Sequence, residues 1–251
     1  MLHCMAVIAV YSLKGGVGKT SFAVNLGWAS AQAKAQSTLV WDLDPQWAAS
    51  YLLGHEPDRK GTAHALFADK AKVSDLILWT GIDNLDLLPA DSSLRKLDHT
   101  FAALAKKKRV HQLTEALGKN YARIILDCPP GLTETSDQMM RAADLIIVPV
   151  IPSPLSRRAL DEVQAHLIAK HGNHVPILPV FSMVDRRRAL HREALDAFPD
   201  WPVIPMASAV EQMAVHRAPI GHFAPRNPAS EAFTRLWAGI DRKVKRKRPG
   251  V

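Results

Sequence analysis

Little in this chain of 251 residues marks a secreted, metal-binding or membrane-spanning protein. Its two cysteines, Cys4 and Cys128, are too few for a disulfide framework, and no cysteine–histidine cluster has zinc-ligand spacing. The longest apolar runs, such as Leu145–Ile151, fall far short of the ~20 residues that cross a bilayer. The N-terminus lacks a basic segment followed by an apolar core, so no signal peptide is expected. These absences predict a cytoplasmic protein with reduced thiols.

Acidic residues are missing from the end of the chain. The sequence has 32 basic and 24 acidic residues, a net charge of +8, and the stretch Arg242–Arg248 holds six of the basic residues and no acidic one. Without that stretch, 26 basic and 24 acidic residues leave a net charge of +2. We therefore predict a domain at residues 1–241 and a basic C-terminal tail at residues 242–251. Such concentrated charge predicts a polyanionic partner, either nucleic acid or an anionic membrane surface.

The hydrophobic fraction of 47% is typical of a globular protein and excludes wholesale disorder. Apolar runs alternate with helical patterns, and several runs are continuously apolar, which is typical of parallel strands covered on both faces. The prediction is an α/β fold: a single doubly wound domain with a mostly parallel sheet flanked by helices on both faces. The predicted strands are Ala6–Ser12, Thr38–Asp42, Leu85–Leu88, Arg123–Asp127, Leu145–Val150, Ile177–Ser182 and Val203–Ile204. The predicted helices are Lys19–Ala35, Phe101–Gly118, Ser136–Ala142, Leu155–His171, Leu190–Phe198 and a last one from about Ser230 to Val244.

A glycine-rich loop follows the first predicted strand and precedes a helix. It lacks the first glycine of the G-x-x-x-x-G-K-[ST] motif, whose place Leu13 takes, but it ends on Gly18-Lys19-Thr20 as the motif requires. Glycines let the backbone wrap an anion, Lys19 reaches the β- and γ-phosphates, and Thr20 ligates Mg²⁺. The predicted nucleotide-binding residues of the loop are Gly15, Gly16, Val17, Gly18, Lys19, Thr20 and Ser21.

Five segments together resemble the ParA/MinD family of ATPases, over roughly residues 6 to 240. Lys14–Thr20 resembles the family's deviant Walker A box, in which a second, signature lysine opens the loop. Asp42-Leu43-Asp44-Pro45-Gln46 is similar to its second acidic motif, and Ile124–Gly131 to its Walker B strand and the turn after it. Ser182–Arg187 and Ile204–Ser208 resemble the loops around the base. The resemblance implies ATP and Mg²⁺ as cofactors.

The resemblance also implies roles for single residues. Lys14 is expected to cross a dimer interface to the partner's phosphates, so that Lys14, Lys19 and Asp44 form the catalytic set, with Asp44 orienting the attacking water. Asp127 is expected to hold the metal through water, and Asp42 either the metal's water shell or the loop. Both Asp42 and Asp44 could instead cap the helix that starts near Trp47.

Adenine is expected between Pro205, Met206 and Ala207 on one side and Met183-Val184-Asp185 on the other, although ordinary loop packing would explain the same residues.

The family contains DNA-bound and membrane-bound members, so the basic tail has two interpretations. Phe233, Trp237, Ile240 and Val244 share one face of the last helix, which could lie on lipid or dock on the domain, and docking is favoured. DNA is then the better polyanion, bound without sequence preference. Basic clusters also lie at Lys106–Arg109 and Arg157-Arg158. The predicted DNA-binding residues are Arg186, Arg187, Arg192, Arg242, Lys243, Lys245 and Arg246.

These features together predict a slow, partner-stimulated ATPase of the ParA type. It would form a homodimer with ATP, bind DNA non-specifically without stable membrane insertion, and act at the nucleoid in segregating DNA or positioning a large cargo. The alternative is a membrane-associated MinD-like spatial regulator of division or flagellar placement. A metabolic or assembly ATPase of the same superfamily is a further alternative, but no C-x-x-C supports an iron–sulfur carrier.

Overall fold

A mostly parallel sheet with helices on both faces forms the centre of the molecule. The computed structural model describes residues 5–33, 36–56, 62–68, 70–104, 108–172 and 175–246. The strands are β1 (Ala6–Val10), β2 (Thr38–Asp42), β3 (Leu78–Ile82), β4 (Leu85–Leu88), β5 (Arg123–Asp127), β6 (Leu145–Val150), β7 (Ile177–Val184) and β8 (Val203–Pro205). The α-helices are α1 (Lys19–Gln32), α2 (Ala48–Leu52), α3 (Thr62–Phe67), α4 (Leu97–Leu104), α5 (Arg109–Leu117), α6 (Glu134–Ala142), α7 (Pro154–His171), α8 (Ala189–Ala197), α9 (Ser208–His216), α10 (Ile220–Phe223) and α11 (Pro228–Arg246), with 3₁₀ turns at Val73–Asp75 and Ser92–Lys96.

The strand order places three functional loops side by side. The order is β3-β4-β2-β5-β1-β6-β7-β8, and each neighbouring pair is parallel except β3 and β4. Val10 of β1 and Asp42 of β2 both lie in register with Asp127 of β5. The chain therefore leaves these strands at one point of the sheet's carboxyl edge, where open α/β sheets bind ligands.

The four central strands are buried on both faces, as predicted for a sheet covered by helices on both sides. Every residue of β1, β2, β5 and β6 is buried. One core, with Trp41 and Phe67, packs under helices α3 to α7, and the other, with Phe22 and Trp237, packs under α1, α9 and α11. Cys128 is a buried free thiol, as predicted, and Cys4 lies outside the described residues. The predicted doubly wound α/β fold is confirmed.

One predicted helix is wrong, and one strand was not predicted. Phe101–Gly118 does not form one helix, because Lys108 has a non-helical backbone (φ −133°, ψ 20°) and α5 begins only after it. The edge strand β3 was not predicted, because it is antiparallel, includes Gly81 and leaves Trp79 69% exposed, so it carries no continuous apolar run.

The C-terminal helix docks on the domain. Phe233, Trp237, Ile240 and Val244 are all buried, which confirms docking over a free lipid-facing helix. The helix continues beyond the predicted start of the tail to Arg246, and residues 247–251 lie outside the described residues. Within the ranges that the structure describes, no helix has both the length and the apolar character of a membrane span.

Candidate nucleotide-binding site

The glycine-rich loop wraps around the N-terminus of α1. Gly16 (φ 74°) and Gly18 (φ 92°) have left-handed backbones that favour glycine, and Gly18 is the residue that precedes α1. The Ser182 hydroxyl donates to the Val17 carbonyl at 2.8 Å, which ties the loop to the end of β7. Backbone amides at the start of a helix form an anion site, so this loop has the geometry for a phosphate group.

The two lysines of the loop lie in different surroundings. Lys19 is buried, with 8% exposed, and its Nζ donates to the Lys14 carbonyl at 3.4 Å across the loop. Lys14 is half-buried beside the exposed Gly15 and Gly16, and its ammonium contacts no acceptor or carboxylate within the described part of the chain. Lys19 therefore faces into the loop, whereas the charge of Lys14 is available to a group from outside.

Asp127 has the chemistry of a residue that serves a cation. Its side chain is fully buried, and neither carboxylate oxygen has a hydrogen-bond partner of acceptable geometry among the described residues. Burial raises the pKa of Asp127 well above its ordinary value, and the charge of Asp42 raises it further. The nearby Thr20 hydroxyl and Lys19 oppose this rise without cancelling it. A buried, unsatisfied carboxylate is costly alone, so Asp127 and Thr20 fit the hydrated Mg²⁺ predicted between them.

Asp42 uses both of its oxygens inside the protein. Oδ2 accepts from the Ser50 amide at 2.8 Å and the Ser50 hydroxyl at 2.7 Å, and Oδ1 accepts from the Asp44 amide at 3.2 Å. Burial raises the pKa of Asp42 to about 6 despite these bonds. Of the roles predicted for Asp42, these contacts favour holding the loop and capping the first turn of α2, to which Ser50 belongs, over serving the metal.

Asp44 is half-buried at the edge of an open cleft. Its Oδ1 accepts from the Gln46 amide at 2.9 Å, so the turn is closed by the aspartate itself. The cleft has a volume of about 370 Å³ and is lined by Pro129 and Pro130 after β5 and by Arg95 and Asp98 on the opposite wall. The carboxylate therefore lies next to solvent, and it is close enough to Asp127 for its charge to raise the pKa of that residue.

Four of the six residues predicted around adenine line one cavity of about 120 Å³. Pro205, Met206 and Ala207 line it together with Met183, whose left-handed backbone (φ 55°) is strained for a methionine. Val184 and Asp185, which were predicted beside Met183, do not line it. Phe22 of α1, Phe233 of α11 and Glu211 of α9 also line the cavity. Sequence analysis missed these three, because each belongs to a helix whose periodicity indicates only packing or solvent exposure.

The comparisons with known proteins agree with this geometry. The AAA domain family (AAA_31) matches residues 5–173. The chain is 30% identical to the sporulation initiation inhibitor protein Soj of Bacillus subtilis, over 92% of this chain and 96% of Soj. It is 32% identical to the chromosome partitioning protein ParA of Caulobacter vibrioides, over 75% of this chain and 73% of that protein. The chain belongs to the ParA/MinD family of P-loop ATPases.

The solved structure of a biosynthetic enzyme has the same fold as this chain. Cobyrinic acid a,c-diamide synthase from Mycobacterium smegmatis, with bound ATP analog and magnesium, superposes with a TM-score of 0.80 over 96% of each chain. At 22% identity this likeness shows the fold alone. The fold is therefore shared with a synthase of cobyrinic acid a,c-diamide.

The arginines after β7 are only partly available to a ligand. Arg187 forms two hydrogen bonds to Asp185, Nε to Oδ1 and Nη2 to Oδ2, each at 2.9 Å. Arg192 donates Nη1 to the carbonyls of Arg186 and Arg187. Arg186 and Arg188 are exposed, and neither guanidinium forms a hydrogen bond or an ion pair within the described residues, although the charge of Arg188 acts on Asp185. Arg188, which was not among the predicted site residues, is therefore better placed than Arg187 to donate hydrogen bonds to a phosphate.

The two predicted basic clusters lie at opposite edges of the sheet. The arginines follow the carboxyl end of β7, whereas Lys243 lies beside Leu178 and Pro202 at the amino ends of β7 and β8. Arg242, Lys243 and Lys245 are exposed on the last turns of α11. Arg246 ends that helix, and Lys106 and Lys107 lie outside the described residues. The two clusters lie beyond opposite ends of β7. Because a strand rises about 3.3 Å per residue, they are roughly 15–20 Å or more apart.

Proposed function

We propose that the protein is a ParA-type ATPase that binds Mg-ATP, forms an ATP-dependent sandwich dimer and binds DNA without sequence preference. The observation that carries the proposal is the buried, unsatisfied Asp127 carboxylate beside Thr20 and Lys19 at the phosphate loop. Cycles of binding and release, stimulated by a partner protein, would segregate a replicon or position a large cargo along the nucleoid.

The phosphate loop and the cavity beside it would hold the nucleotide. Amides of the loop and the N-terminus of α1 would donate to phosphate oxygens, and Lys19 would contact the β- and γ-phosphates. Thr20 would ligate Mg²⁺ directly and Asp127 through water, and the ion would neutralise charge on the phosphates. Pro205, Met206 and Ala207 would contact the base.

Asp44 would orient the attacking water, and Asp42 would hold Asp44 in place. The Asp42 contact to the Asp44 amide and the Gln46 contact to Asp44 Oδ1 together restrict the carboxylate to the edge of the open cleft. Such restriction is what a water-positioning group requires, because a small misplacement of the nucleophile lowers the rate steeply.

Lys14 would act across the dimer. Its unpartnered ammonium lies at the exposed end of the loop, where it would reach the phosphates bound by a second copy of the chain. There it would neutralise the charge that develops during phosphoryl transfer, which makes hydrolysis depend on dimerisation.

Membrane association as in MinD-like regulators is less well supported. The apolar face of α11, which would have entered lipid, is buried against the domain from Phe233 to Val244. What remains exposed on this helix near the C-terminus is basic, and basic groups without an apolar face suit DNA phosphates.

Two variants and one gel-shift assay test the proposal. With Mg-ATP, Asp44→Ala should accumulate as a dimer by light scattering and shift two unrelated DNA fragments equally, because it binds ATP and hydrolyses it only slowly. Lys19→Ala is the matched control, and it should remain monomeric and fail to shift either fragment. A monomeric Asp44→Ala protein with Mg-ATP, or DNA binding that ignores ATP, would contradict the proposal.

A further inference from the structure

Two strained residues lie on separate segments near the nucleotide site. Trp47 (φ 49°) precedes α2, and Arg217 (φ 48°) follows α9. A left-handed backbone is uncommon for residues other than glycine, and it persists only where the surroundings hold it. Both residues contact Tyr51 of α2, which suggests that this side chain holds both.

The contacts to Tyr51 come from two directions. The Trp47 ring meets the Tyr51 ring edge-on, with 6.1 Å between the ring centroids and 66° between the planes. The Arg217 guanidinium lies over the Tyr51 ring, 4.8 Å from its centroid, and Arg217 Nε donates to the Tyr51 carbonyl at 3.4 Å. We name these three residues the Tyr51 stack.

One end of the Tyr51 stack is joined to Asp44. The Trp47 amide donates to the Asp44 carbonyl at 2.8 Å, and the Tyr51 amide donates to the Trp47 carbonyl at 3.0 Å. Asp44, Gln46 and Trp47 thus form one turn, closed by hydrogen bonds of Asp44 to both of the other residues. A change in the Trp47 backbone would therefore move the Asp44 carboxylate.

The other end is joined to the base cavity. Helix α9 begins at Ser208, directly after Ala207 of that cavity, and ends at His216, directly before Arg217. A nine-residue helix transmits a shift at one end to the other as a rigid element. The Tyr51 stack is thus a contact between the segment that lines the base cavity and the turn that carries Asp44.

We propose that Tyr51 and Arg217 are positioning residues, which hold the Asp44 turn in the geometry needed for hydrolysis. The inference rests on the proposed function, in which Asp44 orients the attacking water. Without the stack, Trp47 relaxes from its left-handed backbone and the carboxylate leaves its place, while the phosphate loop is unchanged. The loss therefore falls on kcat and leaves ATP affinity intact.

Four single variants test the inference in the full-length protein. Arg217→Ala and Tyr51→Leu should each lower kcat about tenfold, equivalent to about 1.4 kcal/mol of activation free energy. Their affinity for a non-hydrolysable ATP analogue, measured by calorimetry with Mg²⁺, should stay within twofold of the wild type, which also shows that they fold. Tyr51→Phe keeps the ring and should retain wild-type kcat. Glu56→Gln is the matched control, because it removes only the exposed 3.7 Å ion pair between Glu56 and Arg217.

An Asp44→Ala background separates this inference from the proposed function. If Arg217 acts through Asp44, adding Arg217→Ala to Asp44→Ala lowers kcat no further. Wild-type kcat in both Arg217→Ala and Tyr51→Leu overturns the inference, as does a loss in Tyr51→Phe equal to that in Tyr51→Leu. A parallel loss of analogue affinity overturns it too. Wild-type kcat in Asp44→Ala alone contradicts the proposed function instead.

Discussion

The ion pair between Arg123 and Asp241 offers a quantitative test of how α11 is held on the sheet. Arg123 lies at the start of β5 with 3% of its side chain exposed, and its Nη2 donates to Asp241 Oδ1 at 2.7 Å. Asp241→Asn removes the carboxylate that faces this buried guanidinium. Breaking a buried ion pair on one side costs about 3–5 kcal/mol. Asp241 keeps 14% exposure, so we expect a loss of about 3 kcal/mol in the free energy of unfolding.

Urea denaturation of three variants measures this loss. Lys245→Gln removes the other partner of Asp241, but Lys245 is 42% exposed, so the variant should cost less than about 1 kcal/mol. The pair Arg123→Met with Asp241→Leu removes both charges and should recover most of the stability. A cost for Asp241→Asn no larger than that for Lys245→Gln would refute the reasoning.

The same ion pair predicts how the stability contributed by Asp241 changes with pH. Burial acts to raise the pKa of Asp241, but the hydrogen bonds from Lys245 and Arg123 outweigh it and hold the pKa below its ordinary value. A carboxyl with a lowered folded-state pKa contributes stability above its unfolded pKa of about 3.9, and the contribution disappears as pH falls through the folded value. The difference in unfolding free energy between wild type and Asp241→Asn should therefore be constant near neutral pH and shrink below about pH 4.

Three further predictions use single substitutions. Lys19→Ala should lose Mg-ATP binding by calorimetry, because the buried cation of the phosphate loop is gone; unchanged affinity would count against the loop assignment. Lys14→Ala should bind ATP normally yet hydrolyse it slowly, and wild-type turnover would remove its role across the dimer. Gly221→Ala should lower the unfolding free energy by about 1–3 kcal/mol, because its Cβ would lie 2.2 Å from the Trp28 ring; an unchanged Tm would show that the ring can move aside.

The sequence predicts best those parts of the fold in which one local pattern decides the outcome. A continuously apolar run such as Leu145–Val150 is buried on both faces inside a parallel sheet, so its place follows from its composition. The phosphate loop can be predicted from the sequence as well, because Gly18 and Lys19 follow a predicted strand and precede a predicted helix. Strand β3 and the break at Lys108 were missed, because neither depends on a local apolar pattern.

Contacts between distant segments explain the remaining differences. The sequence allows Asp42 to serve the metal, to hold the loop or to cap a helix, and only the structure shows that Ser50 and Asp44 occupy its oxygens. Arg187 looks like a free cation in the sequence, yet Asp185 holds its guanidinium. Competition between an internal partner and an external ligand is decided by geometry, which residue spacing does not encode.

The separation of the two basic clusters changes how DNA binding should be tested. Truncation after Asp241 would remove the buried Val244 and the Lys245 partner of Asp241 together with the exposed charges, so a loss of binding would be ambiguous. Point variants avoid this ambiguity. One double variant combines Arg186→Ala and Arg188→Ala at the carboxyl ends of the strands, and the other combines Arg242→Ala and Lys243→Ala on α11.

Counterion release predicts a different salt dependence of DNA affinity for each double variant. Losing two phosphate contacts lowers the slope of log affinity against log salt by about 1.8. The arginines after β7 share the carboxyl edge with the phosphate loop, so two copies of this cluster would approach each other in the proposed ATP-dependent dimer. The first pair should therefore flatten the salt dependence only with ATP, whereas the α11 pair, at the other edge, should flatten it with or without ATP. A gel-shift salt titration on two unrelated sequences measures both slopes, and liposome sedimentation beside it tests the lipid alternative. Slopes that neither pair alters would leave non-specific DNA binding without a physical basis in these residues.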